Sequence, residues 1–161
     1  MNKTSLKTLM IQNGKNDKKR CYCFTHNNQY VFANKCSMFV CNDNFDYTKL
    51  HDESIDNIID KFTNNIDGYN IVIEVDIESL TKFYKSIKPR SKDNIGSHPI
   101  ILTLTDDMKI GFNCKFLLDM LTAFKTNKIY CKNQYSPCFT SNDLTNDYGM
   151  LMPLLLPSWR G

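Results

Sequence analysis

The run Met108-Lys109-Ile110-Gly111-Phe112-Asn113-Cys114-Lys115-Phe116-Leu117-Leu118-Asp119-Met120-Leu121 constrains this chain more than any other stretch. Its first residues alternate, with Met108, Ile110 and Phe112 against Lys109 and Gly111, which is the period of a half-buried strand. Asn113 stands where a helix begins, its side-chain oxygen placed to accept from an orphaned backbone N–H. Beyond it Phe116, Leu117, Met120, Leu121 and Phe124 recur at helical spacing and leave Asp119, Thr122 and Lys125 on the opposite face. Asn127 suits the helix exit, and Ile129-Tyr130-Cys131 reads as a returning strand. Strand, capped helix, strand is the repeating unit of a layered α+β domain. Near the end, Tyr148 to Leu156 reads as an apolar strand interrupted by Pro153. Proline cannot donate to a ladder, so a sheet edge or a departing tail is predicted there.

The same order of elements precedes this unit. Tyr69 to Ile77 alternates as a strand, with Ile71, Ile73 and Val75 on one side. Asp76 or Ser79 leads into a helix through Leu80, Phe83, Tyr84 and Ile87 that stops at Pro89. Its polar face carries Lys82, Lys85 and Lys88, with Arg90 and Lys92 immediately after, the densest basic cluster in the sequence. A loop over Ser91 to Ser97 leads to a strand from Ile100 to Leu104, and Asp106-Asp107 turns the chain into Met108. Further upstream, Asp52 to Phe62 predicts an acidic amphipathic helix packed through Ile55, Ile58, Ile59 and Phe62. Cys21 to His26 and Gln29 to Val40 predict two strands joined at Asn27-Asn28. Thr4 to Gln12 is a short helical candidate with Leu6, Leu9 and Met10 on one face, followed by the basic turn Lys15 to Arg20.

With 161 residues, the chain is expected to form one domain with a substantial core. A net charge of +3 neither demands nor excludes a nucleic-acid partner, so the placement of charge has to decide. All but three of the 20 basic residues are lysine and asparagine is abundant, the bias of AT-rich coding DNA in some bacteria and their phages. No secretory signal and no membrane-length apolar run are visible, which predicts a cytoplasmic protein with no membrane partner. The seven cysteines are scattered without a Cys-x-x-Cys pair, and a zinc site built with Cys36 or Cys41 would lack the usual ligand spacing. Reduced thiols and no cofactor are therefore expected. No glycine-rich phosphate loop, Gly-x-Ser-x-Gly elbow or metal-spaced His pair is present, so the chain does not read as an enzyme.

Several of these pieces together resemble the bacterial sliding clamp family, the DNA polymerase III beta subunit, and in particular its C-terminal half-domain. The family reads as a strand ending in Gly-Phe-Asn, a helix of the form (Tyr/Phe)-Leu-Leu-Asp-x-Leu-x-Ala, further strands and a Met-Pro-containing end. The matching residues are Ile110 to Asn113, Phe116 to Leu121 with Ala123, and Met152-Pro153, about a third of the chain. The strand around Tyr30 to Val40 is reminiscent of the family's Ala-Thr-Asp-Gly-His-Arg-Leu, part of which contributes to a pocket for partner peptides. Ala33 matches it, whereas Asn34, Lys35, Cys36 and Ser37 depart.

This resemblance implies a single clamp-like domain over 1–161. Residues 1–50 would supply an N-terminal helix and hairpin, 69–107 a first strand–helix–strand unit, and 108–157 a second. Antiparallel sheets would lie outside, with the helices on one face. It further implies a replication accessory protein that gives a DNA polymerase processivity as a homo-oligomer around duplex DNA. Lys82, Lys85, Lys88, Arg90, Lys115 and Lys125 would meet phosphates without reading bases. Met152, Pro153 and Leu154 would line the groove that receives partner peptides. A bacterial clamp chain carries three such domains and dimerises, so a ring of this shorter chain would need about six copies. The alternative is a single clamp-fold interaction module that binds replication proteins, or a host clamp, without encircling DNA.

Overall fold

Strands whose alternate residues are apolar on both sides need a cover on both sides. The computed structural model describes residues 22–34, 36–42, 53–87, 99–142 and 147–154. Its first elements are β1 (Tyr22–His26), β2 (Gln29–Ala33), β3 (Ser37–Cys41), α1 (Glu53–Asn64) and a short 3-10 turn at Ile66–Gly68. Next come β4 (Ile71–Glu74), α2 (Ile77–Ser86), β5 (Pro99–Thr105) and β6 (Met108–Asn113). The last are α3 (Cys114–Phe124), β7 (Lys128–Cys131), β8 (Cys138–Asn142) and β9 (Asp147–Leu151). Seven strands form one sheet in the order β1-β2-β3-β9-β8-β7-β4, and β5 pairs with β6 in a separate hairpin. The pairings among the described residues are antiparallel, and the class is α+β as the sequence predicts.

Local chemistry explains where these elements begin and end. Asn27 and Asn28 both adopt positive φ, 48° and 62°, the left-handed pair that a two-residue hairpin favours and asparagine tolerates. Asn113 caps α3 by accepting from the Phe116 N–H at 3.2 Å. Asp76 caps α2 by accepting from the Ser79 N–H at 3.0 Å; the bond it accepts from the Ser79 hydroxyl, and then this backbone bond, hold its carboxyl below its ordinary range. The exit of α3 falls at Lys125, in the left-handed region with φ 53°, two residues before the expected Asn127.

The expected strand from Gln29 to Val40 is in fact a hairpin. Asn34 breaks it: its side-chain oxygen accepts from the backbone N–H groups of Cys36 and Ser37, both at 2.8 Å, and imitates a backbone turn. The expectation of an edge or tail for the last strand is corrected as well. β9 lies inside the large sheet, between β3 and β8. Pro153 stands just past its last ladder pair, Ser37 with Leu151, so the missing donor breaks nothing. The chain then passes to the hairpin sheet, where the Leu154 N–H donates to the Gly111 carbonyl at 2.8 Å.

Two cores result, one on each face of the large sheet. Phe32, Phe39, Cys131, Cys138 and Leu151 point to α2, α3 and the β5–β6 hairpin, and join Phe112, Leu117, Leu121 and Phe124. Phe24, Val31, Val40, Phe139 and Met150 point the other way, to Ile55, Ile59 and Phe62 of α1. The expectation of helices on one face is therefore corrected: α2 and α3 share a face, while α1 covers the opposite one. The reason is the apolar alternation of β1 to β3, which leaves no solvated side.

Candidate functional site

Two surfaces carry the residues that the sequence nominates. The first is the outer side of the packed helices α2 and α3. On α2, Lys82 is exposed and forms an ion pair with Glu78, one turn earlier, at 2.7 Å. Lys115 on α3 pairs in the same way with Asp119. Burial raises the Asp119 carboxyl above its ordinary range, and the Lys115 ammonium only partly counters this. Lys85 in the last turn of α2 and Lys125 at the exit of α3 are exposed, and among the described residues neither forms an ion pair. Lys88 and Arg90 lie outside the described residues. Among the described residues the face thus holds two unpaired cations, Lys85 and Lys125, and two that are paired with a carboxylate one turn away.

The second surface is an apolar groove of about 340 Å³ on the α1 side of the sheet. Its floor is Met38 and Met150, neighbours across the β3–β9 ladder. One wall is the turn from Ala33 through Asn34 and Cys36 to Ser37, and the other is Ile55 and Ile58 in the first turns of α1. Tyr22, Pro137 and Met152 complete the lining. Ile58, expected in the core, is 50% exposed here, and Met152 is 45% exposed. The Met152 N–H donates to the Cys36 carbonyl at 2.8 Å, locking the post-β9 segment to the β2–β3 turn. The volume and lining suit a few apolar side chains oriented by a polar rim of Asn34, Cys36 and Ser37.

Of the three residues expected to line a peptide groove, Met152 is part of the lining of this apolar groove. Pro153 and Leu154 are half-buried and outside this lining, and Leu154 bridges to Gly111 of the hairpin sheet. Tyr22, Ile55, Ile58 and Pro137 were not singled out by sequence as groove residues. The one available signal was Ile58, a fourth apolar residue widening the α1 stripe beyond what one sheet face can cover.

Two of the buried thiols are set away from reactivity. Burial pushes the Cys114 thiol up, and a hydrogen bond with the Cys131 thiol together with burial pushes Cys138 up, the opposite of what activates a nucleophile. Among the described residues, no three His, Cys, Asp or Glu side chains cluster as metal ligands. No helix among them is long and apolar enough to cross a membrane.

Comparison with known proteins adds distant likenesses. No family model matches the chain, and no curated protein matches it. Among solved structures, it is similar to a candidate DNA polymerase III beta subunit from Eubacterium rectale, with 20% identity over 86% of this chain and 42% of that one, at a TM-score of 0.45. It is also similar to the DNA polymerase III beta subunit from Thermotoga maritima, with 12% identity over 95% of this chain and 64% of that one, at a TM-score of 0.47. The chain spans less than two thirds of either neighbour's length.

Proposed function

We propose that this chain is a clamp-like replication accessory protein whose working surface is the apolar groove. It would receive a short apolar segment of a DNA polymerase or another replication protein. One observation carries the reading: the bond from the Met152 N–H to the Cys36 carbonyl joins two distant stretches, the Ala33–Val40 strand region and the Met-Pro end. The Met-Pro end is the stretch to which the sliding-clamp resemblance assigns a partner-peptide groove, and the strand beside it keeps only Ala33 of the family's pocket-forming pattern. The test is a methyl NMR titration of the groove methionines, Met38, Met150 and Met152, with pentapeptides rich in leucine and phenylalanine. Saturable shifts confined to these methyls, lost in Ile58→Asp, would support the groove; shifts spread evenly over the molecule would sink it.

A second reading, contact with duplex DNA, draws on Lys85 and Lys125, the unpaired cations of the α2–α3 face. Two phosphate contacts per copy would give a salt dependence of about two in log–log slope, multiplied by the number of copies in an assembly. Light scattering with a nicked circular duplex tests it. A multimer held on the circle and released on linearisation would establish encirclement. A monomer indifferent to the circle would reject encirclement and leave protein docking as the function. Binding that survives Lys85→Glu with Lys125→Glu unchanged would remove this face from the account.

A further inference from the structure

Antiparallel strands hold directly opposed residues on one face of the sheet, with their Cβ atoms about 5 Å apart. Tyr130 of β7 opposes Phe139 of β8, and their rings stack at 4.8 Å on the α1 side. One step further along that register, Cys131 ends β7 opposite Cys138, which begins β8. Both side chains turn to the other face, join its core and are closed to solvent. The two thiols share a hydrogen bond, which together with burial holds the Cys138 proton in place. Opposed positions have Cα separations of about 4.5–5.5 Å, inside the range of about 4.4–6.8 Å that a disulfide spans.

The pair stands where the large sheet is least zipped. Among the described residues β7 and β8 share one register pair, against five between β8 and β9 and four between β4 and β7. Beside it a side chain completes the ladder, the Thr140 hydroxyl donating to the Lys128 carbonyl at 2.8 Å. The loop that joins the two strands has Lys132 and Tyr135 exposed. Local opening runs through the weakest seam, and opening this one brings both sulfurs to solvent together.

We propose that Cys131 and Cys138 are a dithiol that closes to a disulfide by exchange with a small disulfide such as oxidised glutathione, latching β4 and β7 to the rest of the sheet. The Cys131 sulfur attacks one glutathione sulfur, and its proton leaves with the first glutathione released. With Cys131 held in the mixed disulfide, the hydrogen bond that kept the Cys138 proton is gone. The Cys138 sulfur then attacks the Cys131 sulfur, and its proton leaves with the second glutathione. Two thiols become one disulfide, and the two electrons they lose reduce one glutathione disulfide to two thiols. The sulfurs lie on the face away from the groove, so the latch and the groove reading stand or fall separately.

The experiment incubates the full chain in glutathione buffers of increasing oxidised fraction, then quenches with acid, alkylates free thiols and digests with trypsin. Trypsin cuts after Lys132, between the two cysteines, so a disulfide joining them is read as two linked peptides. The linked pair is expected within single chains of an isotope-mixed sample, and dithiothreitol should return it to two thiols. On oxidation the amides of Ile129, Tyr130, Phe139 and Thr140 should exchange about tenfold more slowly, and Cys138→Ala should abolish that change. Cys131 and Cys138 remaining free thiols in fully oxidised glutathione would overturn the proposal. So would a mixed disulfide that stops at Cys131, or linkage only between chains or to other cysteines. A disulfide that forms without slowing those amides would overturn the latch.

Discussion

On one face of the seven-stranded sheet, α2 and α3 close over a core of leucine and phenylalanine, with each helix capped by a side chain at its N-terminus. On the other face α1 is the one helix among the described residues, over an aromatic group in which Phe62 packs within 5.0–5.3 Å of the rings of Tyr69, Phe139 and Tyr148, and a groove lies at its start. His26 ties the β1 end to α1, with Nδ1 3.0 Å from Asp56 and Nε2 3.2 Å from Asp60. The first face is built to stay shut. Among the described residues the second has the thinner cover, and elements with fewer buried neighbours open at lower cost. Rigidity and access are thus divided between two sides of one sheet.

The widest test of this division is Phe124→Ala. Phe124 is buried and stacked on Phe39, so the variant should lose about 3–5 kcal/mol in denaturant unfolding and lower hydrogen-exchange protection throughout the sheet. If amides of α1 exchange as slowly as those of α3 in the parent protein, the two faces are one cooperative unit and the comparison breaks. Alkali should weaken the α1 side next. Burial, reinforced by the Asp60 charge and only partly offset by a bond with Thr63, pushes Tyr148 up to about 12 from an ordinary 10.0. The unfolded chain therefore releases this proton first, and stability should fall by up to about 2 kcal/mol as pH rises from 10 to 12. Tyr148→Phe should flatten that fall; an unchanged slope would show that Tyr148 is not its source.

Gly149→Ala sharpens the comparison from within one strand. A Cβ there would stand 2.6 Å from a ring carbon of Phe124, so β9 and α3 would have to part, at about 1–3 kcal/mol, while the α1 face is left in place. Methyl spectra should show the disturbance at Phe124 and Met120 and spare Ile59. The smallest effect is expected from Asn113→Ala, which removes the α3 cap at about 1 kcal/mol and should leave peptide affinity at the groove unchanged. A variant that lost both would reveal coupling between the faces.

The helical side was legible because its signals are local. Asn113, the stripe from Phe116 to Phe124 and the alternation from Met108 to Phe112 each lie within one or two turns of what they determine. The groove was not, since its parts meet through pairings that sequence spacing does not encode, above all Met38 with Met150. The stripe of α1 showed that the helix packs, but a stripe does not say against which face. The turn at Asn34 was hidden inside an apolar run, where a single side-chain oxygen overrides the strand pattern. The lysines illustrate a further limit: spacing puts Lys82 and Lys115 on helix surfaces, yet whether a charge is available depends on Glu78 and Asp119 one turn away.

The position of β9 also fixes a timetable. It is the last strand of the large sheet in chain order, yet it joins the β1–β2–β3 group to the β8–β7–β4 group. During synthesis the strands β1 to β3 emerge before β9 and can form a meander, but the neighbour that β3 has in the described sheet is complete only once Asp147–Leu151 has left the ribosome. Until then the exposed edge of β3, with Met38 and Val40 on one side and Phe39 on the other, is open to pairing with other chains. Such a distant closing contact makes for slow folding. It also places the hazard of aggregation in the nascent chain, at an edge that the finished sheet conceals.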